Sequence, residues 1–382
     1  MPSHKIVRST LLSLAVFAGS SLLSLGSSSQ FGEETASAEP SRVTAPAVSA
    51  APAAPAAEPI PAVPASAKDG RRGAEPAPYR LFPAQLGRGA DAVKSRPAAY
   101  GPVSRAALEA TAAAERKAAA EGTSRVPLLA GNQVLAFYGK PNAPSMGILG
   151  EYPKEKLSPL LEGYAKLYDA ANGALGVVPA FYLIFGTCWP EGEIGLLSRS
   201  VVESYIAFAA ERGWLVFLDH QIGKYGVEDS VRSMLPYLKY PNVHLAIDPE
   251  WRTLRPMQEI GSITAAELNE SQRIVDEYLR ENGLPGIRML VVHQFTPSMI
   301  RDSAKVRAGF DRVVLVHTAD GFGPPALKRN TYASNARSAT MPVKGFKLFF
   351  ESKVEGAGWD KPLMRPEEVI SLDPMPLVVM YQ

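Results

Sequence analysis

The chain has 382 residues, with 40 lysines and arginines against 38 aspartates and glutamates, for a formal net charge of +2. This near balance provides no basic field for nucleic acid or an anionic membrane surface, so a soluble target is expected instead. The single cysteine, Cys188, excludes an intrachain disulfide, so an apolar core must hold the fold together.

Residues 1–38 predict a secretory signal. Lys5 and Arg8 form a short basic head, Leu11–Leu25 is mostly apolar, and Ala36-Ser37-Ala38 is a small-residue cleavage pattern. The apolar run is shorter than the ~20 residues that a membrane-spanning helix needs. We therefore expect a mature chain that begins near Glu39, has no transmembrane segment, and is extracellular or associated with the cell envelope.

Two further segments precede the globular part. Residues 39–103 predict a disordered linker, because alanine, proline, serine and valine dominate and large apolar side chains are too few to offset the entropy of ordering. Residues 104–122 are rich in alanine and predict a helix that leads into the next domain.

From Gly131 onward, eight short apolar runs alternate with amphipathic segments. The runs are continuously apolar, as in parallel strands covered on both faces. Their repetition over about 250 residues predicts a (β/α)8 TIM barrel across residues 131–382. An open doubly wound sheet is the alternative, although the first turn, FYGKPNAPSMG, lacks phosphate-binding glycine spacing. The runs begin at Gln133, Val177, Trp214, Val243, Arg288, Arg312, Val343 and Pro376.

Helix starts are predicted from capping patterns. Ser200 with Glu203, and Thr264 with Glu267, fit the reciprocal capping box. Ser158-Pro159 offers an N-cap followed by proline at the first helical position.

The stretch VHLAIDPEWR, Val243–Arg252, ends a predicted strand in two acids. Side chains alternate along a strand, so Asp248 and Glu250 share a face with His244 and Ala246, while the apolar set on the other face must meet the helices. The two acids are therefore expected to point toward the barrel mouth. Lys347, in the seventh strand, is expected to face inward and to pair with Asp248 or Glu250, because an unpaired buried ammonium is costly.

Active sites of barrels lie at the carboxyl ends of the strands, which selects further candidates. Histidines in these places could equally be structural, and the two acids could form a structural ion-pair network. No His-x-His or His-Glu-x-x-His spacing indicates a metal, and neither metal nor cofactor is predicted. The predicted catalytic residues are Glu250, Asp248, Asp219, Asp320 and Glu351. The predicted substrate-binding residues are Trp251, His220, His293, Gln294, Lys347, Tyr138, Trp189 and Trp359.

The Asp-x-Glu formed by Asp248 and Glu250 resembles a motif of secreted (β/α)8 glycoside hydrolases, in particular the chitinase-like enzymes of glycoside hydrolase family 18. That resemblance implies that Glu250 protonates the glycosidic oxygen while Asp248 orients a substrate acetamido group. It covers only the last part of the family pattern Asp-Gly-x-Asp-x-Asp-x-Glu, since Val243, His244 and Ala246 occupy the earlier positions.

The chain also resembles retaining barrel enzymes that use one glutamate after strand four and another after strand seven. This likeness implies Glu351 as the nucleophile, although Pro249 stands where those enzymes usually have asparagine. The sequence thus predicts an exported glycoside-hydrolase-like enzyme that acts on a polysaccharide or cell-envelope glycan by carboxylate acid/base catalysis. A non-catalytic glycan-binding barrel and a metal-dependent ester or amide hydrolase remain alternatives.

Overall fold

A computed structural model describes residues 128–354 and 357–382. The predicted signal, linker and lead-in helix, at residues 1–38, 39–103 and 104–122, lie outside the described residues. No helix among the described residues is both long and apolar enough to span a membrane.

Eight parallel strands form a closed barrel. Proceeding around it, the order is β1, β2, β4, β5, β7, β9, β10 and β11, and β11 pairs with β1 to close the sheet, with Val134 opposite Val378. Each strand corresponds to one of the eight apolar runs, so the (β/α)8 barrel is confirmed and the open doubly wound sheet is wrong. The strands are β1 Asn132–Gly139, β2 Gly176–Cys188, β4 Leu215–His220, β5 Val243–Ile247, β7 Arg288–Gln294, β9 Val313–Ala319, β10 Val343–Leu348 and β11 Val378–Tyr381.

Three short strands lie outside the barrel. β3, Ile194–Leu196, runs antiparallel to the end of β2, while β6, Ile263–Thr264, pairs with β8, Ile300–Arg301. Helices cover the outside of the barrel and alternate with its strands, except between β7 and β9, where the chain forms only 3-10 turns and β8. They are α1 Ile148–Glu151, α2 Lys154–Ala171, α3 Arg199–Ala210, α4 Val227–Met234, α5 Ala265–Glu281, α6 Pro325–Ala336 and α7 Pro366–Ile370.

One of the three predicted helix starts is confirmed. At α5 the Thr264 hydroxyl accepts from the Glu267 N–H at 3.1 Å, and the Glu267 carboxylate accepts from the Thr264 N–H at 2.7 Å. At α3 the cap is Ser198, which accepts from the Val201 N–H, so the predicted box at Ser200 is wrong.

The predicted start of α2 at Ser158-Pro159 is also wrong, because the helix begins at Lys154 and Pro159 lies inside it. Pro159 has no N–H to donate to the Glu155 carbonyl one turn earlier. The Ser158 hydroxyl donates to that carbonyl instead, at 3.2 Å. The serine and proline therefore replace a backbone hydrogen bond within the helix.

The inside of the barrel changes character along the strands. In the half toward the strand starts it is apolar and fully packed, which supplies most of the hydrophobic free energy for closing the sheet. Toward the carboxyl ends, polar side chains replace the apolar ones. The apolar part includes Val134, Ala136, Val178, Ala180, Leu215, Phe217, Ala246, Met289, Val291, Val316, Val343, Val378 and Met380.

Candidate active site

Polar side chains from most of the barrel strands meet inside the barrel at the carboxyl end. Apart from Glu250, which lies in the turn after β5, each continues the inward-facing register of its strand, as Asp219 follows Phe217 and Asp248 follows Ala246. The period of two along a strand therefore turns these groups inward. We call this set the central cluster. It consists of Tyr138, Tyr182, Asp219, Asp248, Glu250, His293, Asp320 and Lys347.

A chain of hydrogen bonds, interrupted by one longer contact, crosses the central cluster. The Tyr138 hydroxyl donates to Asp219 Oδ2 at 2.8 Å, and this carboxylate oxygen lies 3.8 Å from His293 Nε2. The Tyr182 hydroxyl is hydrogen-bonded to His293 Nε2 at 2.8 Å, and His293 Nδ1 donates to Asp320 Oδ2 at 2.9 Å. The imidazole is thereby fixed between two carboxylates and a phenol.

Lys347 completes the chain. Its ammonium donates to Asp320 Oδ2 at 3.1 Å and lies 4.0 Å from the centre of the Tyr138 ring. The predicted pairing of Lys347 with Asp248 or Glu250 is therefore wrong. β10, which carries Lys347, is the direct neighbour of β9, which leads into Asp320, whereas β5 lies farther around the barrel.

Opposite charges fix the ionisation of this half of the central cluster. Burial alone would raise the pKa of Asp320, but Lys347 and His293 hold it well below its usual range. Burial would lower the pKa of Lys347, yet Asp320 and the other acids raise it. Burial also opposes charge on His293, but Asp219 and the hydrogen bond to Asp320 outweigh it and raise the pKa. Asp320 is thus stabilised as an anion by Lys347 and His293, which lie on either side of its carboxylate in the hydrogen-bond chain.

The acids on the other side are shifted in the opposite direction. Burial raises the pKa of Asp248 to about 7, and the charge of Asp219 adds to this effect. Burial likewise raises the pKa of Asp219. The pKa of Glu250 lies well above its ordinary value because of burial and the charges of Asp248 and Asp320. Glu250 therefore holds its proton more strongly than an ordinary glutamate, and Asp248, whose charge raises the Glu250 pKa, has its own pKa near neutrality.

Glu250 occupies the most accessible place of the four acids. Its side chain is partly exposed, whereas Asp219 and Asp248 are at most 1% exposed and Asp320 is 5% exposed. The residue belongs to a single 3-10 turn, Pro249–Trp251, whose Glu250 carbonyl accepts from the Gly261 N–H at 2.6 Å. A side chain at position 261 would lie within 2.6 Å of the backbone of this turn, so the close approach requires glycine.

Some buried polar atoms of the site have no hydrogen-bond partner among the described residues. They are Asp219 Oδ1, Asp248 Oδ1 and Thr318 Oγ1. Burying a polar atom without a partner costs free energy, so these atoms are available to water or to ligand hydroxyl groups. No group of three or more histidine, cysteine, aspartate or glutamate side chains within the described part of the chain could hold a metal ion.

Two predicted binding residues serve the surrounding scaffold. His220 Nδ1 accepts from the Ile222 N–H at 2.9 Å, and burial lowers the pKa of this imidazole to about 4. Its ring lies against Gly186, where any Cβ would be 2.6 Å away. Gln294 is hydrogen-bonded to His317 at 2.6 Å and donates to loop carbonyls. Both contacts stabilise the loops that surround the central cluster.

The aromatic and acidic candidates outside the central cluster differ in exposure. Trp189 is 39% exposed, with the Lys140 ammonium 5.2 Å from its ring centre, and Trp251 and Trp359 are partly exposed. Glu351 is exposed and lies beyond the end of β10, so it does not share the buried surroundings of the other acids.

Sequence reasoning missed two features of the site. Tyr182 has the same inward register as Tyr138, its direct partner in the β1–β2 pairing, and that equivalence was a usable signal. The second is a buried ion pair between Lys328 and Asp360, at 3.5 Å. No local pattern indicated this pair, because its residues are distant in sequence and α6 has an ordinary polar composition.

The fold and the site together define a (β/α)8 barrel protein with a buried, charged cluster at the carboxyl ends of its strands. No protein-family model matches the chain, and no curated protein matches it. Among solved structures it is similar to 2,3-dimethylmalate lyase, a member of the PEP mutase/isocitrate lyase superfamily, with 12% identity, coverage of 70% of this chain and 79% of that chain, and a TM-score of 0.39.

Two glycoside-hydrolase structures show a similar degree of likeness. The Ostrinia furnacalis group IV chitinase has 11% identity, coverage of 57% of this chain and 67% of that chain, and a TM-score of 0.36. Endo-glycoceramidase II from Rhodococcus sp. has 13% identity, coverage of 66% and 73%, and a TM-score of 0.36. These similarities accompany the barrel fold and do not distinguish between activities.

Proposed function

We propose that the protein is an exported glycoside-hydrolase-like enzyme that acts on a polysaccharide or a cell-envelope glycan, with Glu250 as general acid and Asp248 as its partner. One observation carries the proposal. Glu250 is partly exposed, yet burial and the charges of Asp248 and Asp320 raise its pKa well above its ordinary value. A carboxyl group that keeps its proton near neutral pH and remains accessible can donate that proton to a glycosidic oxygen.

The reaction follows from this protonation. The Glu250 proton passes to the glycosidic oxygen, the bond between that oxygen and the anomeric carbon breaks, and an alcohol leaves. Positive charge that develops on the sugar is stabilised by the neighbouring carboxylates. Water then adds to the anomeric carbon and gives its proton to the Glu250 carboxylate, which regenerates the acid.

The other groups have supporting roles in this proposal. Asp219 and Asp248 each have a buried oxygen without a partner among the described residues, which suits the binding of water or a sugar hydroxyl group. Asp320 is already hydrogen-bonded to His293 and Lys347 and acts through them. Trp251, next to the acid in sequence, would stack on a sugar ring.

The test is Glu250→Gln in the purified protein, with product analysis on a panel of glycans. General acid catalysis contributes about 100-fold to 10,000-fold, so the variant should lose turnover by about that factor. Glu259→Gln is the matched control, because Glu259 lies in the same loop region, is paired with Arg255 at 2.7 Å and is outside the central cluster. Unchanged glycan turnover in Glu250→Gln would exclude the assignment.

A second candidate function, a non-catalytic glycan-binding barrel, is favoured by the depth of the cluster. Asp219, Asp248 and His293 are at most 1% exposed. In that case Trp251→Ala should weaken glycan binding by about twofold to tenfold, because a contact to an aromatic ring contributes about 0.5–1.5 kcal/mol. No glycan in the panel would be cleaved by the wild-type protein.

A further inference from the structure

A second buried ion pair lies beside the central cluster. Lys328 in α6 and Asp360 in the segment between β10 and α7 are 3.5 Å apart, measured from Nζ to Oδ2. Their side chains are 1% and 0% exposed. The Lys328 ammonium also lies within cation–π distance of two aromatic rings, 4.9 Å from the centre of Phe346 and 5.0 Å from that of Phe349.

The remaining hydrogen bonds of Lys328 go to the backbone of two segments that carry members of the central cluster. Its ammonium donates to the Gly321 carbonyl at 2.6 Å and to the carbonyl of Lys347. Gly321 directly follows Asp320 and donates its N–H to Asp320 Oδ1 at 2.7 Å. One buried cation thus binds the backbone next to Asp320 and the backbone of Lys347 at the same time.

Asp360 contacts the same two segments from the other side. Its Oδ1 accepts from the Gly323 N–H at 2.9 Å, and its Oδ2 accepts from the Phe349 N–H at 3.0 Å. Gly323 lies three positions beyond Asp320, and Phe349 lies two positions beyond Lys347. The ion pair therefore joins the loop after β9 to the end of β10 through four backbone groups.

We propose that Lys328 and Asp360 are positioning residues that set the 3.1 Å contact between Lys347 and Asp320 and, through it, the placement of the Asp320 carboxylate against the imidazole of His293. A buried ion pair adds little net stability compared with apolar residues of the same volume. Its four bonds to these two segments give it a geometric role instead. The effect on turnover rests on the proposed function, whereas the effect on His293 does not.

The experiment is a titration of His293 by NMR in protein labelled with 15N-histidine, which is practical because the chain has only five histidines. Lys328→Met removes the ammonium and keeps the volume of the side chain. We expect the His293 pKa to fall by about one unit, because a carboxylate that moves away from an imidazole stabilises its charged form less. Asp360→Asn keeps the side-chain shape and should lower the pKa in the same direction.

Lys344→Met is the matched control. Lys344 is also a buried lysine, but its ammonium donates to the Asn335 and Ser338 carbonyls at 2.7 and 3.1 Å, at the end of α6, and the imidazole that it contacts is that of His317, at 3.3 Å. It should lose stability like Lys328→Met and leave the His293 pKa unchanged. If Lys328→Met does not fold, Asp360→Asn gives the answer alone. A wild-type His293 pKa in the folded variants would overturn the proposal.

Turnover provides the second readout if the wild-type protein cleaves a glycan. Misplacement of catalytic groups lowers kcat more than it raises KM, so Lys328→Met and Asp360→Asn should lose about tenfold to 100-fold in kcat with an altered pH profile. If the wild-type protein cleaves no glycan while His293 still shifts in these variants, the proposed function fails and the positioning role stands.

Discussion

The two halves of the barrel interior are built from the same strands but are stabilised in different ways. Toward the strand starts, β4 contributes Leu215 and Phe217, and both are packed among other apolar side chains. Two residues later, the same strand contributes Asp219, which is hydrogen-bonded to Tyr138 and lies close to His293. The packing that stabilises the apolar half does not change with pH, whereas the stability of the charged half depends on which of its side chains are protonated.

This difference indicates that the free energy of folding comes mainly from the apolar half, and that the charged half reduces it. Four carboxyl groups share the central cluster with only two cationic side chains, His293 and Lys347. The acids without a cationic partner at hydrogen-bond distance have raised pKa values, whereas Asp320, between the two cations, has a lowered one. Such a divergence of pKa values is typical of sites that transfer protons.

The largest expected effect on stability comes from removing Lys347, a cation of the charged half of the barrel interior. Lys347→Met leaves Asp320 without its partner at 3.1 Å, and breaking a buried pair in this way costs about 3–5 kcal/mol of unfolding free energy. A carboxylate with a lowered pKa stabilises the fold above its ordinary pKa of about 4 and loses that contribution as the pH falls. The deficit of the variant should therefore be full at pH 7 and should shrink below about pH 4.

Urea unfolding of Lys347→Met between pH 3 and pH 8 measures this deficit. Lys344→Met serves as the comparison, because that buried lysine donates to carbonyl groups and forms no contact with a carboxylate in the described structure. Equal pH dependence in the two variants would contradict an origin in the Lys347–Asp320 pair.

The next effect concerns the acid with a raised pKa. Burial raises the pKa of Asp248 to about 7, above its value of about 4 in the unfolded chain. The unfolded chain therefore releases this proton first, and the wild-type protein loses up to about 4 kcal/mol of stability from this group as the pH rises from about 4 to 7. Asp248→Asn cannot ionise, so its stability relative to the wild type should increase over that range.

Chemical denaturation at pH 5 and pH 8 tests this expectation directly. The unfolding free energy of Asp248→Asn relative to the wild type should be higher at pH 8 than at pH 5. The control Asp302→Asn, at an exposed position, should show no such change. A difference between Asp248→Asn and wild type that is the same at both pH values would show that Asp248 keeps an ordinary pKa in the fold.

The sequence was sufficient to predict the positions of the strands, but not the contacts between side chains of different strands. Continuous apolar runs predicted all eight strands, and the alternation of side chains placed Asp248 on the inward face with Ala246. The predicted partner of Lys347 was wrong, because the correct partner depends on which strands are neighbours in the barrel. The local sequence does not specify this order. A strand position fixes the direction of a side chain, whereas its contacts depend on the closed sheet.

The same limit applies to the loops and helix ends. Glu351 has the parity of Lys347 in the sequence, but β10 ends at Leu348 and the side chain is exposed. Alternation still holds for Asp248, one position beyond β5, but no longer predicts direction at Glu351, three positions beyond β10. The Lys328–Asp360 pair forms between a helix and a loop, and neither segment contains a local pattern that indicates burial.

The smallest effect should come from the apolar half. Val291→Ala removes two methyl groups from a fully buried side chain in β7, two positions before His293, and should cost about 2 kcal/mol through lost transfer free energy and the cavity left behind. Because no titratable group is changed, we expect the same loss at pH 5 and pH 8. Leu254→Ala, at a position 76% exposed, should change stability by less than about 0.5 kcal/mol. If the loss of unfolding free energy in Val291→Ala differed between the two pH values, the packing of the apolar half would also affect the protonation of His293. The two halves of the barrel interior would then be coupled energetically.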